Sequence, residues 1–217
     1  MTELEYIRPA DIERRSFEII AAELGEREIP PEQRPVVMRC IHTTADFDYA
    51  GNLYFSPGVI EAAKALLREG ILIVTDTNMA LSGINKPALA RHHCEAVCYM
   101  ADPGTAAAAK VQGITRAAAS VDRAAALGRP LIYVTGNAPT ALLRICEHHK
   151  NGDFTPSLVV GMPVGFVNVV QSKERLIASG IPCIVARGRK GGSNVAAAVM
   201  NALLYELDAE SIPQRVQ

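Results

Sequence analysis

The sequence predicts an α/β fold: one domain, with a mainly parallel sheet and helices on both faces. Short apolar runs alternate with longer amphipathic stretches, and most of the runs are apolar at nearly every position, as strands buried on both faces are. Strand, helix and strand in succession give the crossovers that parallel strands need. A chain of 217 residues, 49% of them hydrophobic, fits one domain and can close a core without disulfides or a structural metal.

Taken in order, the first 50 residues read as two helices, near Asp11 to Leu24 and near Glu32 to Thr43. Val36 to Ile41 would pass equally well as a strand. The sheet region runs from about residue 53 to 207, with strands expected at Leu53–Phe55, Ile71–Thr75, Ala96–Met100, Leu131–Thr135, Leu158–Val160 and Cys183–Ala186. Ser56-Pro57 supplies an N-cap and first helical residue for a helix that Gly70 ends. Asn137-Ala138-Pro139 starts another, closed by Gly152, and Gly192-Ser193 opens the last, which runs through Glu206. There is no internal repeat, low-complexity tract or linker, so residues 1–217 read as a single unit.

Charge and targeting narrow the function classes. Twenty-two Lys and Arg against 23 Asp and Glu give a net charge of −1, which excludes a general affinity for nucleic acid or anionic membrane but not a local basic pocket. The acidic start Met1-Thr2-Glu3-Leu4-Glu5 is unlike a secretory signal, and the charge-free stretch Thr155 to Ser172 is broken by proline and glycine, unlike a membrane span. Five cysteines without framework spacing suit reduced thiols, so a cytoplasmic protein is expected.

In such folds functional groups gather at the carboxyl ends of the strands. Here those ends carry Thr75-Asp76-Thr77-Asn78, Thr135-Gly136-Asn137, Gly161 to Gly165, and Arg187-Gly188-Arg189-Lys190. The run from Arg187 to Ser193 combines three cations, flexible glycine backbone and a helix start, which together make an anion cradle for carboxylate or phosphate. It lacks the order of a Walker loop, and no Gly-x-Gly-x-x-Gly follows a strand. His42 would share a helical face with Arg39 at i and i+3, placing a proton-exchanging imidazole beside an anion-binding group. Taken alone, a structural histidine at a helix end explains it better. The clusters His92, His93, Cys94, Cys98 and Cys146, His148, His149 lack zinc spacing, so no metal site is expected. Arg116, in Gly113-Ile114-Thr115-Arg116, reads equally as a surface cation or a site residue.

The same segments resemble the precorrin-8 methylmutase family of cobalamin biosynthesis. The likeness lies in Ile41 to Tyr49, Thr75 to Lys86, Gly113 to Arg116, Gly136 to Leu142, Gly161 to Phe166 with Glu174, and Gly188 to Asn194, and it spans about Tyr6 to Leu207. The resemblance implies an isomerase that moves a ring methyl from C11 to C12 of a contracted corrin-type macrocycle. It implies His42 as the catalytic acid and Ser16, Arg39 and Arg116 as substrate-binding residues. Thr75, Asp76 and Asn137 at the strand ends, with Arg189 and Lys190 in the basic loop, complete the expected substrate-binding set. It also implies the corrinoid substrate and product as ligands, no cofactor beyond any cobalt inside the substrate, a homodimer with its site near the subunit boundary, and possible hand-over to neighbouring pathway enzymes. Ala80 to Lys86 and Gly188 to Val195 look more like the cobalt-first branch. A non-catalytic tetrapyrrole carrier and a phosphate- or nucleotide-binding enzyme are the alternatives.

Overall fold

A computed structural model describes residues 4–211. Its six strands are β1 (Leu53–Phe55), β2 (Leu72–Thr75), β3 (Glu95–Cys98), β4 (Leu131–Thr135), β5 (Leu158–Gly161) and β6 (Cys183–Ala186). They form one sheet in the order β1-β6-β5-β4-β2-β3. Every neighbouring pair is parallel except β1, which runs antiparallel to β6. The expected strands are all present, and the expected mainly parallel architecture is the observed one.

The pleat divides the apolar runs between two cores. Ile73, Ile132, Val134, Leu158, Val160 and Ile184 face one side with residues of α1 (Ile12–Leu24), α2 (Arg34–Thr44), α4 (Val59–Arg68) and α11 (Ser193–Ser211). Val74, Leu131, Tyr133, Val159 and Val185 face the other, against α8 (Arg116–Ala125), α9 (Pro139–Asn151) and α10 (Val169–Ala178). Side chains such as Ile132 and Leu158 are wholly buried, each worth about 1.5–3 kcal/mol relative to exposure. The short α3 (Tyr49–Asn52), α5 (Asn78–Gly83), α6 (Lys86–Arg91) and α7 (Pro103–Gln112) complete the connections.

The ambiguous stretch from Val36 to Ile41 is helical. Val36, Val37, Cys40 and Ile41 are all buried, a helical stripe that a strand, hiding every second residue, could not produce. One expected helix start is corrected. Ser56 and Pro57 are not the N-cap and first residue of α4, which begins at Val59 behind Gly58 in the left-handed conformation. Ser56 instead extends the β1 pairing: its N–H donates to the Cys183 carbonyl, and its hydroxyl accepts from the Cys183 N–H at 2.9 Å.

The sheet order places a topological switch between β2 and β4, because the chain leaves β2 toward β3 and later proceeds from β4 toward β5. Asp76, wholly buried at the end of β2, closes this crevice from below. Its carboxylate accepts the N–H groups of Gly136 (2.7 Å), Asn137 (2.9 Å) and Ala138 (2.7 Å) at the end of β4. Gly136 is required there, since a Cβ would come within 2.6 Å of Ser193 Cα at the start of α11. Thr77 and Ser193 join their hydroxyls at 2.8 Å across the same junction. The start of α11 is thereby fixed over the carboxyl edge of the sheet. No helix among the described residues is long and apolar enough to cross a membrane.

Candidate active site

α2 carries Arg39 and His42 one turn apart and ends at Ala45, which takes the left-handed conformation. His42 lies exposed in the last turn, stacked on Phe17 of α1 with ring centroids 5.0 Å apart and planes 19° from parallel. Its imidazole makes no hydrogen bond among the described residues, so both nitrogens can engage a ligand. The Arg39 guanidinium sits 4.7 Å over the Phe17 ring and 5.0 Å over Tyr205 of α11, and pairs with Glu13. Arg39, His42, Thr43, Asn194, Asn201 and Tyr205 border a hollow of about 280 Å³ between α2 and α11. Asn201 accepts the Asn85 N–H at 2.8 Å and donates to the Gly83 carbonyl at 2.9 Å. Asn85 in turn donates to the Tyr205 hydroxyl at 2.9 Å, so the hollow has a rigid polar floor.

The basic loop lies at the same edge, immediately before α11. Its three cations have different situations. Arg187 lies 5.3 Å over the Tyr54 ring and 3.4 Å from Glu174. Lys190 is held by Asp46 at 2.6 Å and Asp48 at 2.5 Å, hydrogen bonds that raise its own pKa and lower that of Asp46. Arg189 has no carboxylate partner among the described residues and rests 5.4 Å over the exposed Phe166 ring. Of the two cations expected to pair with substrate, Lys190 thus has carboxylate partners within the protein and Arg189 has none among the described residues. Two internal carboxylates already neutralise Lys190, and they tie the loop to the turn that follows His42. Val164, Phe166 and Val167 beside this loop, and Met79 at the start of α5, leave large apolar surfaces exposed.

Exposed apolar side chains, an imidazole without a hydrogen bond and a guanidinium without a carboxylate partner among the described residues suit a large apolar ligand fringed with acidic groups. Comparison with known proteins agrees. The precorrin-8X methylmutase family model matches residues 11–206. The chain belongs to the precorrin-8X methylmutase family. Membership makes it an isomerase of corrin biosynthesis: a methylmutase moves a methyl group within one molecule. The cobalt-precorrin-8 methylmutase of Salmonella typhimurium is 49% identical over 211 residues, covering 94% of this chain and 99% of that protein. The precorrin-8X methylmutase of Pseudomonas aeruginosa is 36% identical, covering 94% and 99%. A crystal structure of the precorrin-8x methyl mutase from Thermus thermophilus superposes with a TM-score of 0.85 at 38% identity, covering 93% of this chain and all of that one.

Within this methylmutase fold the other expected residues separate by depth. Thr75 and Asp76 have no exposed surface. Thr75 donates to the Thr77 carbonyl at 3.0 Å, and Asp76 is saturated by the β4 N–H groups. Both side chains are thus turned into the protein at the base of the crevice, as the inward direction of a strand end in a sheet covered on both faces dictates. Asn137 is exposed at the crevice mouth. Ser16, half-buried on α1 beside Phe17, donates to the Ile12 carbonyl at 2.9 Å and keeps its oxygen lone pairs. Arg116 is exposed as the first residue of α8, where a cation opposes the helix dipole. Thr115 binds Thr140 at 2.8 Å, placing Arg116 at the same end of the molecule as Asn137.

Phe17, Tyr205 and Asn201 were not legible as residues of the hollow between α2 and α11 and its surroundings. Phe17 adjoins Ser16, a signal that could have raised it; Tyr205 and Asn201 reach the site only through the fold. The cysteine and histidine clusters are engaged elsewhere: His92 with Asp208 at 2.9 Å, His148 with Asp122 at 2.7 Å and His149 with Thr155 at 2.8 Å. A concavity of about 680 Å³ between the ends of α9 and α10 holds none of the expected site residues.

Proposed function

We propose that this chain converts cobalt-precorrin-8 to cobyrinate by shifting the C11 methyl to C12, with His42 as the acid. The unpaired His42 imidazole beside Arg39, at the mouth of a hollow, is the observation that carries this reading. The shift is internal, so no group is gained or lost overall. Hydrogen bonding or protonation by His42 draws electron density from the conjugated ring and favours the rearranged arrangement; the proton is returned when the product leaves. Arg39, Arg116 and Arg189 pair with peripheral carboxylates, Ser16 and Asn137 add polar contacts, and Phe166 and its neighbours cover an apolar face of the ring. Lys190, Thr75 and Asp76 hold these groups in place. Any cobalt arrives within the substrate, and no cofactor is required.

The cobalt-first branch is supported by relatives named for cobalt-precorrin-8 that are 49% and 40% identical, against 38%, 36% and 35% for relatives named for precorrin-8X. A hollow of about 280 Å³ is below the 300–1,000 Å³ typical of pockets for drug-sized ligands, so a macrocycle needs further walls. A second copy of the chain supplies them in this reading, giving a homodimer in the cytoplasm.

The test is anaerobic incubation with cobalt-precorrin-8 in large excess, followed by visible spectra. Removing the methyl from C11 makes that carbon trigonal and lengthens the conjugated path, so turnover changes the colour continuously. A single change that saturates at one ligand per chain overturns the enzyme reading in favour of a carrier. Repeating the assay with metal-free precorrin-8X decides the branch.

A further inference from the structure

Lys173 on α10 has no exposed surface, yet no carboxylate pairs with it among the described residues. Its ammonium instead donates to two carbonyls of the basic loop, Gly188 at 2.9 Å and Lys190 at 2.8 Å. Burial lowers its pKa to about 8, a measure of how unfavourable the position is for a charge. A buried cation satisfied only by backbone carbonyls is a costly choice where an apolar residue would fill the space.

The consequence lies on the opposite side of the loop. In a trans peptide the carbonyl of one residue and the N–H of the next point in opposite directions. With the Gly188 and Lys190 carbonyls drawn inward to Lys173, the N–H groups of Arg189 and Gly191 turn outward. The intervening Arg189 carbonyl is held separately by the Gly165 N–H at 3.1 Å. None of the N–H groups from Gly188 to Gly191 meets an acceptor among the described residues. Gly191 also has no room for a side chain, since a Cβ would lie 2.3 Å from the Met162 carbonyl oxygen. The outward N–H groups flank the side chain of Arg189, whose guanidinium is the cation of this loop without a carboxylate partner.

We propose that Lys173 is a positioning residue: it fixes the peptides from 188 to 191 as a cradle for a substrate carboxylate, with Arg189 as the charged arm. This deepens the methylmutase reading and rests on it for the identity of the ligand. The carboxylate lies on the rim of the macrocycle, away from the migrating methyl, so the cradle holds ground state and transition state alike.

Lys173→Met keeps the apolar stem and removes the donors. Measured with cobalt-precorrin-8, it is expected to raise KM about tenfold, leave kcat within about twofold, and flatten the salt dependence of KM. Lys173→Gln, which retains shorter N–H donors, is expected to fall between Met and wild type. A folded Met variant with unchanged KM and salt dependence overturns the proposal, as does a loss confined to kcat. Amide NMR with tricarballylate as the probe gives a second reading that needs no turnover. The Arg189 and Gly191 N–H signals of the wild type are expected to shift, and those of a folded Lys173 variant to stay still. No shift in the wild type overturns the cradle even if neither variant folds. A wild type that rearranges neither macrocycle removes the functional reading, and the tricarballylate titration still decides the clamp.

Discussion

His42 and His148 occupy equivalent places on opposite faces of the sheet: each lies in the last turn of a helix, α2 for one and α9 for the other. Their surroundings differ. His148 is gripped by Asp122 at 2.7 Å and stands 3.7 Å from Asp153, with Phe154 packed edge-on against its ring. Asp122 also receives Arg144 through two bonds, at 2.6 and 3.2 Å. His42 has an aromatic ring beneath it, no hydrogen bond among the described residues and an open face toward the hollow. A carboxylate within reach makes a histidine part of the framework. Where none is present, the imidazole remains available to a ligand.

The sharpest way to break this comparison is His42→Ala. Turnover is expected to fall by about 10²–10⁴-fold while macrocycle binding, followed by spectral titration, is largely kept. A rate within fivefold of wild type would put the two histidines in the same class. Asp122→Ala tests the other side. Leaving Arg144 and His148 without their acceptor is expected to cost about 2–3 kcal/mol in urea unfolding, with kcat and KM of the folded enzyme unchanged.

Asp122 also gives the comparison a pH signature. Burial pushes its carboxyl up, but bonds from Arg144 and His148 outweigh that and hold it below the ordinary value of about 3.9. Its contribution is complete above that value and is lost as pH falls through the lower folded value. Asp122→Asn should therefore show a flatter acid limb of stability than wild type. The smallest effect is expected at Arg189, an exposed arm whose removal leaves the fold intact. Arg189→Ala should raise KM about threefold and weaken its salt dependence, measured at two ionic strengths.

The strands were legible because sheets covered on both faces demand continuous apolar runs, and Leu131–Thr135 or Cys183–Ala186 have few other uses. His42 and Arg39 were legible as a pair because i, i+3 spacing fixes a shared helical face. The internal pairing of Lys190 was not legible, because its partners Asp46 and Asp48 lie more than 140 residues away in the chain. Ser56-Pro57 was misread because the local capping pattern gave way to β pairing with Cys183. The complete burial of Thr75 and Asp76 was not legible either, because depth within the sheet is invisible to a strand pattern.

By itself, then, the sequence determined the α/β class, the strand runs, the helix carrying Arg39 and His42, and the glycine-rich loop before the last helix. These depend on periodicity and on glycine and proline, which act within a few residues. Tertiary structure alone decided which charges are spent within the protein and which remain for a ligand. Lys190 is neutralised from the turn after α2, Lys173 of α10 is buried beneath the basic loop, and Arg189 is left uncompensated because no carboxylate among the described residues reaches it. Electrostatic pairing is set by distance through space, and the chain positions that meet there are brought together only by the order of the strands.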